Sequence, residues 1–211
     1  MTEEQKTQYQ TIIQARNFHY EQFTRWSSYF YVVIGALFVG YYIIMNENST
    51  KTQETNVLSW VILGIGYLTS VANFLSVKGY IYWWQHWNIL LTRFEEKFCK
   101  EEEEKVYSVF ADVHNLDNSA CPLNGSNIST SKVALFVAGV IMLGWSILIG
   151  YGISKCIVDV CCNNSVCCIV GLTALFSIFL YVIGAVIMPL LPMLHSNMSN
   201  NKDLHLLEKS K

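Results

Sequence analysis

Four long stretches of this chain, 27–46, 55–77, 133–154 and 160–194, contain no Asp, Glu, Lys, Arg or His. Each supplies the roughly 20 apolar residues that an α-helix needs to cross a hydrocarbon core about 30 Å thick. Lipid offers no partner for backbone N–H and C=O groups, so only helices and closed barrels span it. Composition points the same way: 52% of the 211 residues are hydrophobic and only 14% are charged, too few to clothe a small water-soluble domain. The chain is therefore expected to be an all-α integral membrane protein with four transmembrane helices, at 29–45, 57–77, 133–153 and 166–188. An N-terminal amphipathic helix and a long cytoplasmic extension of the second span complete the expected fold.

The first apolar stretch lies behind a polar segment and is not followed by a small-residue cleavage site, so it is expected to stay in the mature protein. Orientation follows from the basic residues. Twelve of the fourteen Lys and Arg fall in the N-terminal segment, in the loop between spans two and three, or in the C-terminal tail; only Lys51 and Lys155 lie in the other two loops. By the positive-inside rule, both termini and the central loop face the cytoplasm. The expected order is a cytoplasmic amphipathic helix (1–28), an outer loop (46–56) after the first span, a cytoplasmic helix and linker (78–132) after the second, a Cys-rich outer hairpin (154–165) after the third, and a cytoplasmic tail (189–211). The formal net charge of −2 gives no basic field, which argues against nucleic acid as a partner.

The second span runs without a break into Lys78, Tyr80, Tyr82, Trp83, Trp84, His86 and Trp87, then Arg93, Glu95 and Glu96. Tyr and Trp gather where hydrocarbon meets headgroups, because each ring has an apolar body and a polar tip. Tyr80, Tyr82, Trp83, Trp84 and Trp87 are thus an expected interfacial belt. The helix is expected to continue through Glu104, whose run Glu101 to Glu104 reads as a solvated face. On the N-terminal side, Tyr9, Ile12, Arg16, Tyr20 and Phe23 recur at helical spacing. Such a helix either docks onto a partner or the central loop, or lies at the headgroups. Arg16 and Arg25 share a compartment with Glu95 and Glu96, and ion pairs among them are expected to bind the two cytoplasmic helices into a collar.

Within span two, Ser59, Gly66, Ser70 and Asn73 follow at spacings that place them on one narrow stripe. Small and polar residues in a row either let helices approach and hydrogen-bond or line a water-filled opening. No ionisable residue joins the stripe, which favours packing. Ser146, Gly150 and Ser154 in span three, and Ser177 and Gly184 in span four, are further packing signals. Asn115 to Ser131 reads as a turn-rich linker, and Asn48-Ser49-Thr50 matches a glycosylation acceptor that chance explains better in an Asn-rich sequence. Cys156, Cys161, Cys162, Cys167 and Cys168 fall on the outer side, where disulfides, free thiols and a thiolate metal site are all open readings. Five is odd, so at least one thiol is unpaired or bonds between chains. Span four is expected to stop at Pro189, which lacks the N–H that a helix needs.

No nucleophile with a base, phosphate-cradling glycine loop, His-Glu metal arrangement or carboxylate within a span is present. Neither catalysis nor a cofactor is therefore expected, and an ion-coupled carrier lacks its midplane site. Ala15-Arg16-Asn17-Phe18 followed by Arg25-Trp26, then Ser76-Val77-Lys78-Gly79-Tyr80-Ile81-Tyr82-Trp83 with Trp87 and Glu95-Glu96, and Val106-Tyr107-Ser108-Val109-Phe110, resemble the RipA family of octameric membrane proteins. The resemblance covers about the first 150 residues and implies a bacterial inner-membrane homo-oligomer, an octamer, without known catalytic residues. The expected function is a non-enzymatic scaffold or gated assembly in contact with membrane lipid, its cytoplasmic helices binding a protein partner. The alternative is a pore-forming effector of bacterial stress or phage defence, its opening lined by the Ser59 to Asn73 stripe.

Overall fold

The computed structural model describes residues 2–46, 53–99, 130–161, 166–191 and 194. Four helices follow in order: α1 (Glu3–Asn46), α2 (Gln53–Phe98), α3 (Thr130–Cys161) and α4 (Val166–Val182). All four of these stretches are long and apolar enough to cross a membrane, α4 together with the turns that continue it, and there is no strand among the described residues. The Asn48 triplet, the Glu101 to Glu104 run, the 115–129 linker with Cys121, and the tail beyond Leu194 lie outside the described residues.

α1 begins with a reciprocal cap. The Gln5 N–H donates to Thr2 Oγ1 at 3.3 Å, and the Thr2 N–H donates to Gln5 Oε1 at 2.8 Å, so each satisfies a donor the helix would leave open. Glu3 and Glu4 add negative charge to the positive end of the helix dipole. From there α1 runs unbroken for 44 residues and α2 for 46, which makes them about 66 and 69 Å long. A bilayer core takes up only about 30 Å of that. The expected amphipathic helix and first span are thus one rod, and so are the second span and its extension.

Polar side chains in the apolar helices satisfy themselves locally. Ser146, Ser154 and Ser177 each donate to the carbonyl four residues back, at 2.8, 2.6 and 2.5 Å. α1 runs antiparallel to α2: Tyr9 stacks on Phe94 at 5.6 Å, Phe23 on Tyr80 at 3.8 Å, and Gly40 approaches Ile62. α3 returns antiparallel to α2, with Trp145 over Gly66 and Gly152 beside Trp60. α4 packs on α3 where Gly150 meets Thr173 and Ser177. Leu63, Tyr67, Val71, Phe74 and Val77 of α2 form the core with Ala138, Met142 and Trp145 of α3.

Two boundaries differ from expectation. α3 continues to Cys161, so most of the expected outer hairpin is helix. α4 gives way at Ile183–Ile187 to a π-helical turn and at Met188–Leu190 to a 3-10 turn. Pro189 cannot donate to the carbonyl four residues back, and its ring presses against it. The helix widens just before the proline, where the Met188 N–H donates to the Ile183 carbonyl five residues back.

Candidate functional site

Two features stand out: a polar seam between α2 and α3 inside the apolar region, and the paired ends of α1 and α2 that extend beyond it. The seam contains the stripe read from the sequence. Gly66 lies directly beneath Trp145; a Cβ there would stand 2.5 Å from the indole. Trp145 is fully buried, stacked on its other face by Phe38 at 4.3 Å, and its Nε1 has no hydrogen-bond partner. Ser70 is fully buried and donates to the Tyr67 carbonyl at 2.7 Å. Asn73 is fully buried as well, with neither amide atom partnered, and Ser59 is half-buried. The interhelical hydrogen bond in this region comes instead from Tyr67, whose hydroxyl donates to the Leu180 carbonyl of α4 at 2.7 Å. Gly184, in the π-helical turn, is pressed against Met142 Sδ and Val71, where a Cβ would stand 2.8 and 3.0 Å away.

Beyond the seam, α1 and α2 stay paired. The Tyr9 hydroxyl donates to Glu95 Oε1 at 2.5 Å, bridging 86 positions of sequence. Glu95 is fully buried, one turn before the buried Cys99 and one turn after the buried Leu91. Nearer the apolar region, Tyr80 lies flat on Phe23 and tilted against His19 at 5.8 Å and Tyr20 at 6.4 Å. His19 Nε2 is sealed with no hydrogen-bond partner, and burial lowers the pKa of the ring. Burial raises the Tyr80 pKa, Tyr20 adds to the rise and Arg16 opposes it.

Of the expected belt, Tyr82 and Trp84 are exposed and Trp83 and Trp87 half-buried, but Tyr80 is buried between the helices. An aromatic that packs and one that meets headgroups read alike in sequence. The residues of the expected collar are spread along the paired helices. Tyr9 meets Glu95, the Arg16 guanidinium donates to Asn17 Oδ1 at 2.9 Å, Arg25 sits 4.0 Å from Glu21 in its own helix, and Glu96 is exposed. The contacts Tyr9–Glu95 and Phe23–Tyr80 put Arg25 level with Lys78, about two dozen ångströms along the rod from Glu95 and Glu96. A shared compartment had not specified depth. On the other side, Cys156, Cys167 and Cys168 are exposed free thiols, and the Cys161 side chain and Cys162 lie outside the described residues. Cys156 is held within α3 and Cys167 and Cys168 in the first turn of α4. Among the described residues, no group of three His, Cys, Asp or Glu is placed to hold a metal ion.

The sequence pattern of the octameric membrane protein family (8xMP) matches residues 6–154, which takes in α1, α2 and α3 up to Ser154. The chain belongs to this family. No curated protein and no solved structure matches it. The matched region of this octameric-family member contains both the α2–α3 stripe and the α1–α2 pair, whereas α4 lies beyond it.

Sequence reasoning missed Tyr67, Trp145 and His19. Trp145 carried a signal: it is the indole at the centre of the third charge-free stretch, beside Ser146. For His19 the signal was its place one turn before Phe23 on the predicted amphipathic face.

Proposed function

We propose that this chain is one subunit of a homo-octameric, non-enzymatic scaffold or gated assembly of a bacterial inner membrane, its α1–α2 pair forming a cytoplasmic stalk that binds a protein partner. The observation that carries the reading is the length and pairing of α1 and α2 in a member of an octameric membrane family. Roughly 35 Å of each rod is surplus to the bilayer core, and both surpluses lie on one side because the helices are antiparallel. Surplus helix held by a buried Tyr–Glu hydrogen bond suits presentation of a surface at a distance from lipid. The basic residues at those ends support a cytoplasmic placement.

The burial of Gly66, Ser70 and Asn73, with Trp145 of α3 over Gly66, weighs against the pore-forming reading, in which the stripe lines an opening. The test is native mass spectrometry of the full chain in nanodiscs, combined with ion flux in reconstituted vesicles. Eight copies without flux is the expected result. Eight copies with sustained flux would move the assignment to the pore, and a monomer would remove the octamer.

A further inference from the structure

α1 and α2 each carry a second face, opposite the one through which they pack together. On α1, positions 18, 22, 25, 29, 32, 36, 39 and 43 step by four and three, and none is buried. On α2, the same alternation runs from 58 to 96, again without a buried position. A 3-4 alternation of this length makes one continuous stripe along a helix, the geometry of a helix-helix seam. Inside the bilayer such a stripe is satisfied by lipid and says nothing. Outside it, large exposed apolar residues recur among polar ones: Phe18 with Gln22 and Arg25 on α1, and Tyr82 and Ile89 with His86, Arg93 and Glu96 on α2. Phe18 precedes the first charge-free stretch and is 63% exposed; Ile89 lies well past the second and is 53% exposed. Both lie beyond the expected spans, and on each helix a packed ring pair closes the other side.

We propose that the outer face of the α1 stalk docks on the outer face of the α2 stalk of a second copy of this chain, head to tail around the ring. The proposal deepens the octamer reading and rests on it. A closed ring larger than a dimer is built from heterologous contacts, in which each subunit offers two different patches. The hairpin has two, facing opposite ways, one per helix. Rotation about the membrane normal also preserves depth, so the register within one chain carries over to the contact between chains. Tyr9–Glu95 and Phe23–Tyr80 put Phe18 level with the stretch from Tyr82 to Ile89.

The test is a photo-reactive benzoylphenylalanine placed in the full chain, one position at a time, at Phe18, at Ile89 and at the exposed α3 residue Phe136. Irradiated membranes are resolved on denaturing gels, cross-linked peptides are sequenced, and native mass is measured on the same samples. Phe18 and Ile89 are expected to give a ladder of multiples of the chain, with Phe18 joined to peptides covering 82–93 and Ile89 to peptides covering 11–22; Phe136 is expected to give none. An octamer that cross-links from Phe136 alone, or that joins Phe18 to its own equivalent, overturns the docking and leaves the octamer standing. Cross-linking of Phe18 to a different protein overturns it too, and a monomeric native mass overturns both.

Discussion

Asn73 is the residue whose surroundings depart furthest from its chemistry. An amide in the middle of an apolar bundle is ordinarily retained for the hydrogen bond it makes across helices, yet here both of its polar atoms are buried without a partner. An unsatisfied buried group costs about 1–3 kcal/mol, so Asn73→Leu is expected to stabilise the chain by about that much in a detergent-titration unfolding curve. Ser70→Ala is expected to change little, because the Ser70 hydroxyl only returns to its own helix. A loss of stability in Asn73→Leu would show that the amide is bonded in the assembled protein. Gly66 is constrained in the opposite sense. Trp145 is clamped between Gly66 and Phe38 and has nowhere to retreat, so Gly66→Ala overpacks the seam and is expected to lose about 1–3 kcal/mol. Gly64, with nothing within 4 Å of its Cβ position, is the matched control and is expected to accept alanine with no loss.

At the scale of elements, the α1–α2 pair has a pH dependence built into it. The half-buried ring of His19, its Nε2 sealed, packs against Tyr80, and burial lowers its pKa from the ordinary value near 6.5. The unpaired helices therefore take up the proton before the paired ones do. Stability from this contact is full above that ordinary value and is lost as pH falls through the lowered one. Hydrogen exchange over residues 12–24, corrected for its intrinsic pH dependence, is expected to accelerate from pH 7.5 to 5, and His19→Phe to flatten the trend. An equal trend in the variant would assign it to other groups. The same pair shows which parts of the structure were legible beforehand. The rods could be read because lack of charge and helical period are local properties of sequence, and period alone put Ser59, Gly66, Ser70 and Asn73 on one stripe, of which Gly66, Ser70 and Asn73 are buried. What that face meets was not legible: Trp145 lies 79 positions away, and nothing in the spacing of one helix names the partner on another. Arg25 failed for a related reason, since sharing a compartment with Glu95 says nothing about depth along a rod of this length. Pro189 was visible as a stop, but that Gly184 in the widened turn before it would meet Met142 and Val71 was not.

For the whole molecule, orientation is the first quantity to measure. Cys156, Cys167 and Cys168 are exposed and Cys99 is buried at the far end of the α1–α2 pair. With both termini inside, a membrane-impermeant maleimide applied to intact cells is expected to modify the first three and to spare Cys99 even after the cells are opened, until the chain is denatured. Protection of all three in intact cells would invert the topology. The unbroken run of α2 from Gln53 to Phe98 has a mechanical consequence. With no hinge, proline or loop between its lipid-embedded half and its outer half, the rod acts as a lever whose fulcrum is the membrane surface. Tilting the embedded half by about 10° swings the far tip by about 6 Å over a 35 Å arm. Any change in the tilt of the embedded half is in this way passed on as lateral displacement at a distance from the lipid, amplified by geometry alone and requiring no change of fold.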